Sequence, residues 1–140
     1  MSWDSSQRQR YRDLENRVIA GMNGEMSAEV FNQLAVEIYH FQREHNKSYR
    51  NYCDYVGAPA LIGEWRQIPA VPQSAFKTSA LRVYPAEETI RTFRTSGTTG
   101  EGYGSHHFCS LRAYDASIVA GWRYLGIPLV RRLIFVPSAK

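Results

Sequence analysis

Cysteine is scarce in this sequence of 140 residues, which contains two, Cys53 and Cys109. Two isolated cysteines exclude a disulfide framework, and neither stands at metal-ligand spacing from His40 or His45, so no metal site is predicted. We expect both to be free thiols. Because Cys109 ends a strand-like stretch, it is predicted to pack as a small hydrophobic residue.

A long hydrophobic run is also absent, since no apolar stretch approaches the roughly 18 residues that a membrane span requires. The first residues lack an apolar core followed by a cleavage site, so no secretory signal is predicted and the cytoplasm is the expected location. Hydrophobic residues make up 44% of the chain and charged residues 21%, a balance typical of a folded domain and not of a disordered one.

Negative charge is the scarcer sign, and the formal net charge is +4. Part of the excess comes from a basic stretch near the amino terminus. That stretch contains Arg8, Arg10, Arg12 and Arg17, with Asp4, Asp13 and Glu15 among them. Charges of both signs in one stretch favour a solvated helix face, and no recognised nucleic-acid module is present, so nucleic acid is not a predicted partner.

Apolar periodicity predicts three helices in the first 58 residues. They cover residues 9–22, a longer stretch that Ser27 caps and that ends near 46, and residues 48–56. Residues 59–88 carry prolines and are predicted as a loop with a brief element at 74–78. The chain is interpreted as one continuous unit with these three parts: helical 1–58, loop 59–88 and α/β 89–140.

The second half alternates strand and helix patterns. Strands are predicted at residues 89–95 and 103–109, followed by a helix that Ser110 caps and that ends near 125. Apolar residues that include Ile118 and Leu125 are predicted to share one face of this helix. Residues 132–136 form a short continuous apolar run, typical of a strand buried in an α/β sheet. The sequence therefore predicts an α/β fold in which the helices come first.

Between the first two predicted strands lies a run rich in glycine and hydroxyl side chains. It consists of Thr95, Ser96, Gly97, Thr98, Thr99 and Gly100. Glycines let a backbone approach a ligand closely, while hydroxyls and free N–H groups can hold phosphate oxygens. The run is not a Walker loop, because Glu101 follows where that motif needs lysine, and the later glycine spacing is not a dinucleotide fingerprint. The alternative is an ordinary hairpin turn.

This run and its neighbours resemble the adenylate-forming superfamily, and in particular the acyl-protein synthetases of bacterial fatty acid reductase complexes, known from bioluminescence. The resemblance rests on residues 68–77 upstream, on the run itself, and on residues 105–108 and 114–117 downstream. It implies that residues 89–140 form part of the mixed sheet of such an enzyme's large domain.

The resemblance also implies an acid–thiol ligase that uses ATP and Mg²⁺ to convert a long-chain fatty acid to an acyl adenylate. The acyl group then passes to a cysteine of an acyl-acceptor or reductase protein. Residues 95–100 would hold the β- and γ-phosphates, and His107 is a further candidate cofactor-binding residue. Many superfamily members carry a lysine shortly after the loop, where this chain has Glu101. The alternative for His106 and His107 is a pair of strand residues, one facing in and one out.

The family's adenine pocket, ribose aspartate and carboxyl-terminal domain have no counterpart in these 140 residues. We therefore expect an amino-terminal portion of such an enzyme, not competent for catalysis alone, and assign no catalytic residue. Two alternatives stay open. One is a portion of a coenzyme A ligase for an aryl or short acyl acid, and the other is a non-catalytic nucleotide-binding remnant.

Overall fold

The structure, a computed structural model, describes residues 3–24, 26–95 and 103–127. Within these ranges the chain forms five α-helices and a two-stranded antiparallel sheet, with four of the helices preceding the strands. The predicted mixed α/β class, with helices at the amino terminus, is confirmed. The predicted strand at 132–136 and most of the hydroxyl-rich run lie outside the described residues.

Helix α1 covers Ser5–Asn23 and begins four residues before its predicted start. Its N-cap is Asp4, whose side chain accepts the backbone N–H of Gln7, while the Gln7 side chain accepts the backbone N–H of Asp4. This reciprocal capping box satisfies donors that the first turn of a helix otherwise leaves free. The prediction started later because it relied on apolar periodicity, and the capping signal is polar.

Helices α2 and α3 follow the prediction closely. Helix α2 covers Ala28–His45, and the hydroxyl of its N-cap Ser27 accepts the N–H of Val30. Helix α3 covers Lys47–Tyr55 and is capped by the side chain of Asn46. Gly57 follows with φ of 68°, a left-handed conformation that glycine adopts at no steric cost, so the helix ends there.

Two clusters of buried side chains make up the core, and α2 contributes to both. The first consists of Leu14, Leu34, Phe41, Val83 and Tyr84, and the second of Tyr39, Tyr49, Cys53 and Ile62. Cys53 is completely buried and free, so it packs as a hydrophobic side chain. Members of each cluster come from the predicted loop, which therefore docks on the helices and does not stand away from them.

Short elements order this loop. It contains single turns of 3₁₀-helix at Trp65–Gln67 and Ala86–Glu88, and helix α4 at Ala75–Thr78, as predicted. The hydroxyl of Tyr39 donates to the carbonyl of Pro59 at 2.6 Å. This bond ties the start of the loop to α2 and satisfies the one polar atom of a side chain that is otherwise buried.

Strands β1 (Arg91–Arg94) and β2 (Ser105–Phe108) pair in antiparallel register, with Arg94 opposite Ser105. Helix α5 then covers Arg112–Tyr124. The prediction that Ser110 caps α5 is wrong by one residue, because Leu111 occupies the N-cap position. The Ser110 hydroxyl still accepts the N–H of Arg112, at 3.3 Å, so it satisfies a free donor from one position further back.

Polar side chains join α5 to α1. The Arg112 guanidinium donates to the Glu15 carboxylate at 3.0 Å and to the Asn16 carbonyl oxygen at 2.8 Å. Glu15 is buried, whereas the predicted apolar face of α5 remains largely exposed, with Ile118 at 44% and Leu125 at 68%. Among the described helices, none combines the length and the apolar character needed to cross a bilayer.

Candidate phosphate-binding hairpin

The two strands close on each other at Thr95 and Gly104. The backbone N–H of Thr95 donates to the carbonyl of Gly104 at 2.9 Å, and the N–H of Gly104 donates to the Thr95 hydroxyl oxygen at 2.9 Å. This reciprocal pair joins the two residues that flank positions 96–103 in the chain. The Thr95 hydroxyl accepts in this contact, so its own proton remains available for an acceptor such as a phosphate oxygen.

Gly104 lies where a side chain would crowd the Thr95 hydroxyl and touch Phe76. A Cβ added there would come within 3.0 Å of the Thr95 hydroxyl oxygen and 3.5 Å of the Cβ of Phe76. Gly104 is half of the pair that fixes the hairpin ends, and Phe76 packs behind it from α4. The glycine therefore permits a close approach of three segments at the base of the candidate site.

The neighbouring histidines of β2 have separate partners. The ring of His106 stacks on Phe76, with centroids 4.2 Å apart. His107 Nδ1 lies 3.0 Å from the Thr92 hydroxyl on β1, the residue opposite it in the register. Because side chains alternate along a strand, the two imidazoles face opposite sides of the sheet, as the strand alternative predicts.

Burial, Arg82 and His106 together lower the pKa of His107 from its ordinary value, in that order of importance. Neutral imidazole is thus the favoured form at neutral pH. With its proton on Nε2, His107 accepts the Thr92 hydroxyl proton at Nδ1 and offers Nε2–H as a donor. It can contribute a hydrogen bond to an anion, but not the positive charge that a lysine would supply.

Positive charge beside the hairpin comes from Arg94, a residue that the sequence analysis did not select. Arg94 ends β1, is exposed, and immediately precedes Thr95. Its guanidinium makes no hydrogen bond or ion pair with other described residues, so it is available to a phosphate or carboxylate. Arg94 is visible in the sequence directly before the run. The resemblance, however, predicts a lysine after the run and no cation before it.

Of the predicted site residues, Thr95 and His107 are described, and they lie on the same hairpin, although His107 is not at its closed end. Ser96, Gly97, Thr98, Thr99 and Gly100 lie outside the described residues, as does Glu101. Their assignment to ATP phosphates stays a prediction. In the parts of the chain that the structure describes, no group of three metal-ligating side chains occurs.

Cys109 follows β2 and is half-buried. Its side chain is hydrogen-bonded to the hydroxyl of Tyr11 on α1, and burial raises the pKa of the thiol. Because the thiolate is the nucleophilic form, a raised pKa lowers reactivity. The geometry supports a packing role for Cys109, in agreement with the prediction that it packs as a small hydrophobic residue.

Comparison with known proteins finds distant relatives. The chain is 28% identical over 103 residues to a protein of Aliivibrio fischeri named long-chain-fatty-acid–luciferin-component ligase, covering 73% of this chain and 27% of that protein. It is 27% identical over 89 residues to a Vibrio harveyi protein of the same name, covering 63% of this chain and 24% of that protein. No protein-family model and no solved structure matches.

These relatives carry the name of a ligase that acts on fatty acids. The chain is related to them at low identity and spans about a quarter of their length. The comparison therefore supports a related ligase family, in line with part of the resemblance seen in the sequence.

Proposed function

We propose that this chain supplies the phosphate-holding hairpin of an ATP-dependent acid–thiol ligase. The ligase activates a long-chain fatty acid as an acyl adenylate, and the acyl group then passes to a protein cysteine. Two distant relatives are named as long-chain fatty acid ligases. The single structural observation that carries the proposal is the reciprocal Thr95–Gly104 pair, which joins the residues on either side of positions 96–103 and so brackets the glycine- and hydroxyl-rich run.

The described residues fit a bound triphosphate in their donor chemistry. The Thr95 hydroxyl retains a proton to donate, and Arg94, whose guanidinium has no partner among the described residues, precedes it. Gly104 leaves the base of the hairpin free of a side chain. Neutral donors and one cation can hold phosphate oxygens together, and the charge-assisted bonds to arginine are the stronger ones.

ATP with Mg²⁺ would supply the adenylyl group and the pyrophosphate leaving group. The contribution of this chain is positional. Thr95 and Arg94, together with Ser96 to Gly100, would fix the phosphates while the fatty acid carboxylate approaches, and preorganised donors would stabilise the charge that develops on the leaving group.

The test is calorimetric titration of Mg-ATP into the 140-residue chain and into two pairs of variants. In the first pair, Thr98→Ala with Thr99→Ala removes two hydroxyls of the run, and Thr78→Ala removes an exposed hydroxyl of α4 as the control. In the second pair, Arg94→Ala is compared with Arg91→Ala, which removes an exposed guanidinium from the other end of β1.

We expect weak binding by the wild-type chain and a loss of at least tenfold for the double threonine variant. Arg94→Ala should also lose at least tenfold, the effect of about 1.5–3 kcal/mol expected for one hydrogen bond to a charged group. Thr78→Ala and Arg91→Ala should bind as the wild type does. Equal affinities across both pairs, or no binding by a folded wild-type chain, would refute the assignment of the hairpin to phosphate.

A further inference from the structure

Helix α2 borders two cavities on one of its faces. The first, which we term the distal cavity, has a volume of about 340 Å³ and lies between α2 and the end of α1. Among the described residues, none of its lining side chains is charged. They include Val18, Gly21, Met22, Met26, Phe31 and Leu34. Methionine is unbranched and flexible, so two methionines let the walls adapt to an irregular apolar occupant.

The second cavity, which we term the proximal cavity, has a volume of about 300 Å³. Residues 68–81 line it with apolar side chains, whereas Gln42, Asn46 and Tyr49 add polar atoms. Ala35 and Ile38 line both cavities, so the two adjoin along α2. We call the combined depression the α2 groove.

The proximal end of the α2 groove reaches the base of the hairpin. Phe76 lines the proximal cavity, and the same ring stacks on His106. Its Cβ also packs against Gly104, which pairs with Thr95. One side chain therefore separates the groove from the closed end of the candidate phosphate site.

The length of the groove selects among apolar occupants. At a rise of roughly 1.5 Å per residue, Phe31 and Gln42 lie roughly 16 Å apart along α2. An extended alkyl chain with bonds of roughly 1.5 Å advances roughly 1.3 Å per carbon, so about twelve carbons fill this distance. The groove thus matches a long acyl chain and exceeds what a short or aryl acid would need.

The polarity of the groove has a direction. The distal cavity is lined by apolar residues and one glycine, and polar side chains enter only at the proximal end, beside the hairpin. An amphiphile with one polar end complements this gradient in one orientation, because burying the polar end among the methionines would leave it without hydrogen-bond partners.

We propose that the α2 groove binds the acyl chain of a long-chain fatty acid, with its methyl end at Met22 and Met26 and its carboxylate at the Phe76 end, towards the hairpin. This proposal rests on the proposed ligase function and adds a binding site for its second substrate. A second copy of this chain, or another segment of a longer protein, would be a different occupant of the same apolar walls.

The test is a calorimetric titration of saturated fatty acids from octanoic to hexadecanoic acid, each below its micelle concentration, into the 140-residue chain. Each added methylene that enters an apolar groove should raise affinity about three- to fourfold, and the increase should stop near twelve to fourteen carbons, where the groove is full. Affinity that is absent, or that rises with chain length without a limit, would overturn the proposal.

Three variants locate the site. Ala35→Phe fills the junction of the two cavities and should abolish binding of tetradecanoic acid. Met22→Trp fills the distal end at a residue that is 37% exposed, and it should weaken tetradecanoic acid at least tenfold while leaving octanoic acid unchanged. Gln33→Phe is the control, since Gln33 is exposed on α2 and lines neither cavity.

Circular dichroism establishes that each variant is folded. If Ala35→Phe fails to fold, the test rests on Met22→Trp, which should change the preference for acyl chain length. An unchanged preference would refute the proposal. Sedimentation analysis tests whether a second copy of this chain occupies the groove instead of a fatty acid. If Met22→Trp changes the association state of the chain and leaves fatty acid binding intact, the groove is an interface between protein surfaces and the proposal is wrong.

The Mg-ATP titration keeps the two proposals separate. Fatty acid binding with the expected length limit in a chain that binds no nucleotide would support the groove and refute the phosphate hairpin. Nucleotide binding by a chain that does not bind fatty acid would support the phosphate hairpin and refute the groove.

Discussion

The helical part, α1 to α3, and the hairpin with α5 differ in how they are stabilised. The helices contain most of the buried core, including Leu14, Leu34, Tyr39, Phe41, Tyr49 and Cys53. In contrast, every residue of β1 is exposed, and α5 has no buried residue. Burial of apolar surface is the main stabilising contribution to a fold, so the helical part is stabilised by its own core.

The hairpin and α5 depend on a few specific contacts instead. Rings of Phe93, Phe108 and Tyr114 cluster at centroid distances from 5.1 to 5.7 Å, yet Tyr114 remains 41% exposed. Polar bonds from Arg112 and the stack of Phe76 on His106 join this part to the rest. The part that carries the candidate site is therefore the one with less apolar burial, and it should respond more to loss of a single polar contact.

The largest expected effect is a difference in stability between two tyrosine variants, one in the helical part and one in α5. Tyr39→Ala should lower the free energy of unfolding by about 3–5 kcal/mol, because it removes a buried ring and its bond to Pro59. Tyr114→Ala should cost about 1 kcal/mol, since the ring is half in solvent. Urea unfolding of both measures the difference. Tyr55→Ala, at a residue that is 90% exposed, is the control. Similar losses for Tyr39 and Tyr114 would refute the contrast.

The second prediction concerns the contact between α5 and α1. Arg112→Ala should lower the free energy of unfolding by about 1–3 kcal/mol, because the Glu15 carboxylate stays buried and loses its partner. The amides of α5 should also exchange with solvent faster than those of α2. Arg12→Ala is the matched control, at an exposed arginine that bonds to no other described residue. An additive Glu15→Gln, Arg112→Ala double variant would contradict the coupling of these two side chains.

The third prediction tests the close approach at the hairpin base. Gly104→Ala should cost about 1 kcal/mol and weaken Mg-ATP binding, because its Cβ forces the Thr95 hydroxyl to shift. Gly63→Ala is the control, since a Cβ there meets nothing within 4 Å and the backbone does not have positive φ. Unfolding and nucleotide titration of the two variants should separate them. Unchanged nucleotide affinity in Gly104→Ala would argue that the base geometry does not matter to the site.

The smallest expected effect is a pH dependence from His107. Its pKa is lower in the folded state than in the unfolded state, so the unfolded state binds more protons between the two values and protonation favours unfolding. The stabilisation is fully present above the ordinary value of 6.5 and is lost as pH falls through the folded pKa. Comparing stability from pH 7.5 to 5 in the wild type and in His107→Gln should isolate this slope, and an NMR titration of His107 with a midpoint above 6.5 would contradict it.

Much of the helical part could be predicted because its signals are local. Ser27 as N-cap, the apolar stripe of α2 and the end of α3 at Gly57 each follow from residues within one or two turns. The errors also have local causes. The predicted start of α1 is late because the Asp4–Gln7 capping box carries no apolar signal. The predicted N-cap of α5 is Ser110 and the observed one is Leu111, because a serine hydroxyl can reach a free N–H from either position.

The candidate site was less predictable. The composition of the hydroxyl-rich run identifies it in the sequence. The contacts beside it join Phe76, Thr95 and Gly104 from three segments, and spacing along the chain does not predict contacts between separate segments. The availability of Arg94 likewise depends on which carboxylates the fold brings near it. The apolar face predicted for α5 illustrates the same limit, since periodicity identifies a face but does not say whether anything covers it.

The sequence by itself determined the helix order, the α/β class and two free cysteines, and it predicted a run for phosphate, because propensity, capping and glycine chemistry act over a few residues. Only the tertiary structure decided which side chains meet across the chain. It buried Glu15 beside Arg112, it joined two cavities along α2 through Ala35 and Ile38, and it placed Phe76 between that groove and the hairpin. Such contacts depend on the packing of segments far apart in sequence, and packing is a property of the whole fold.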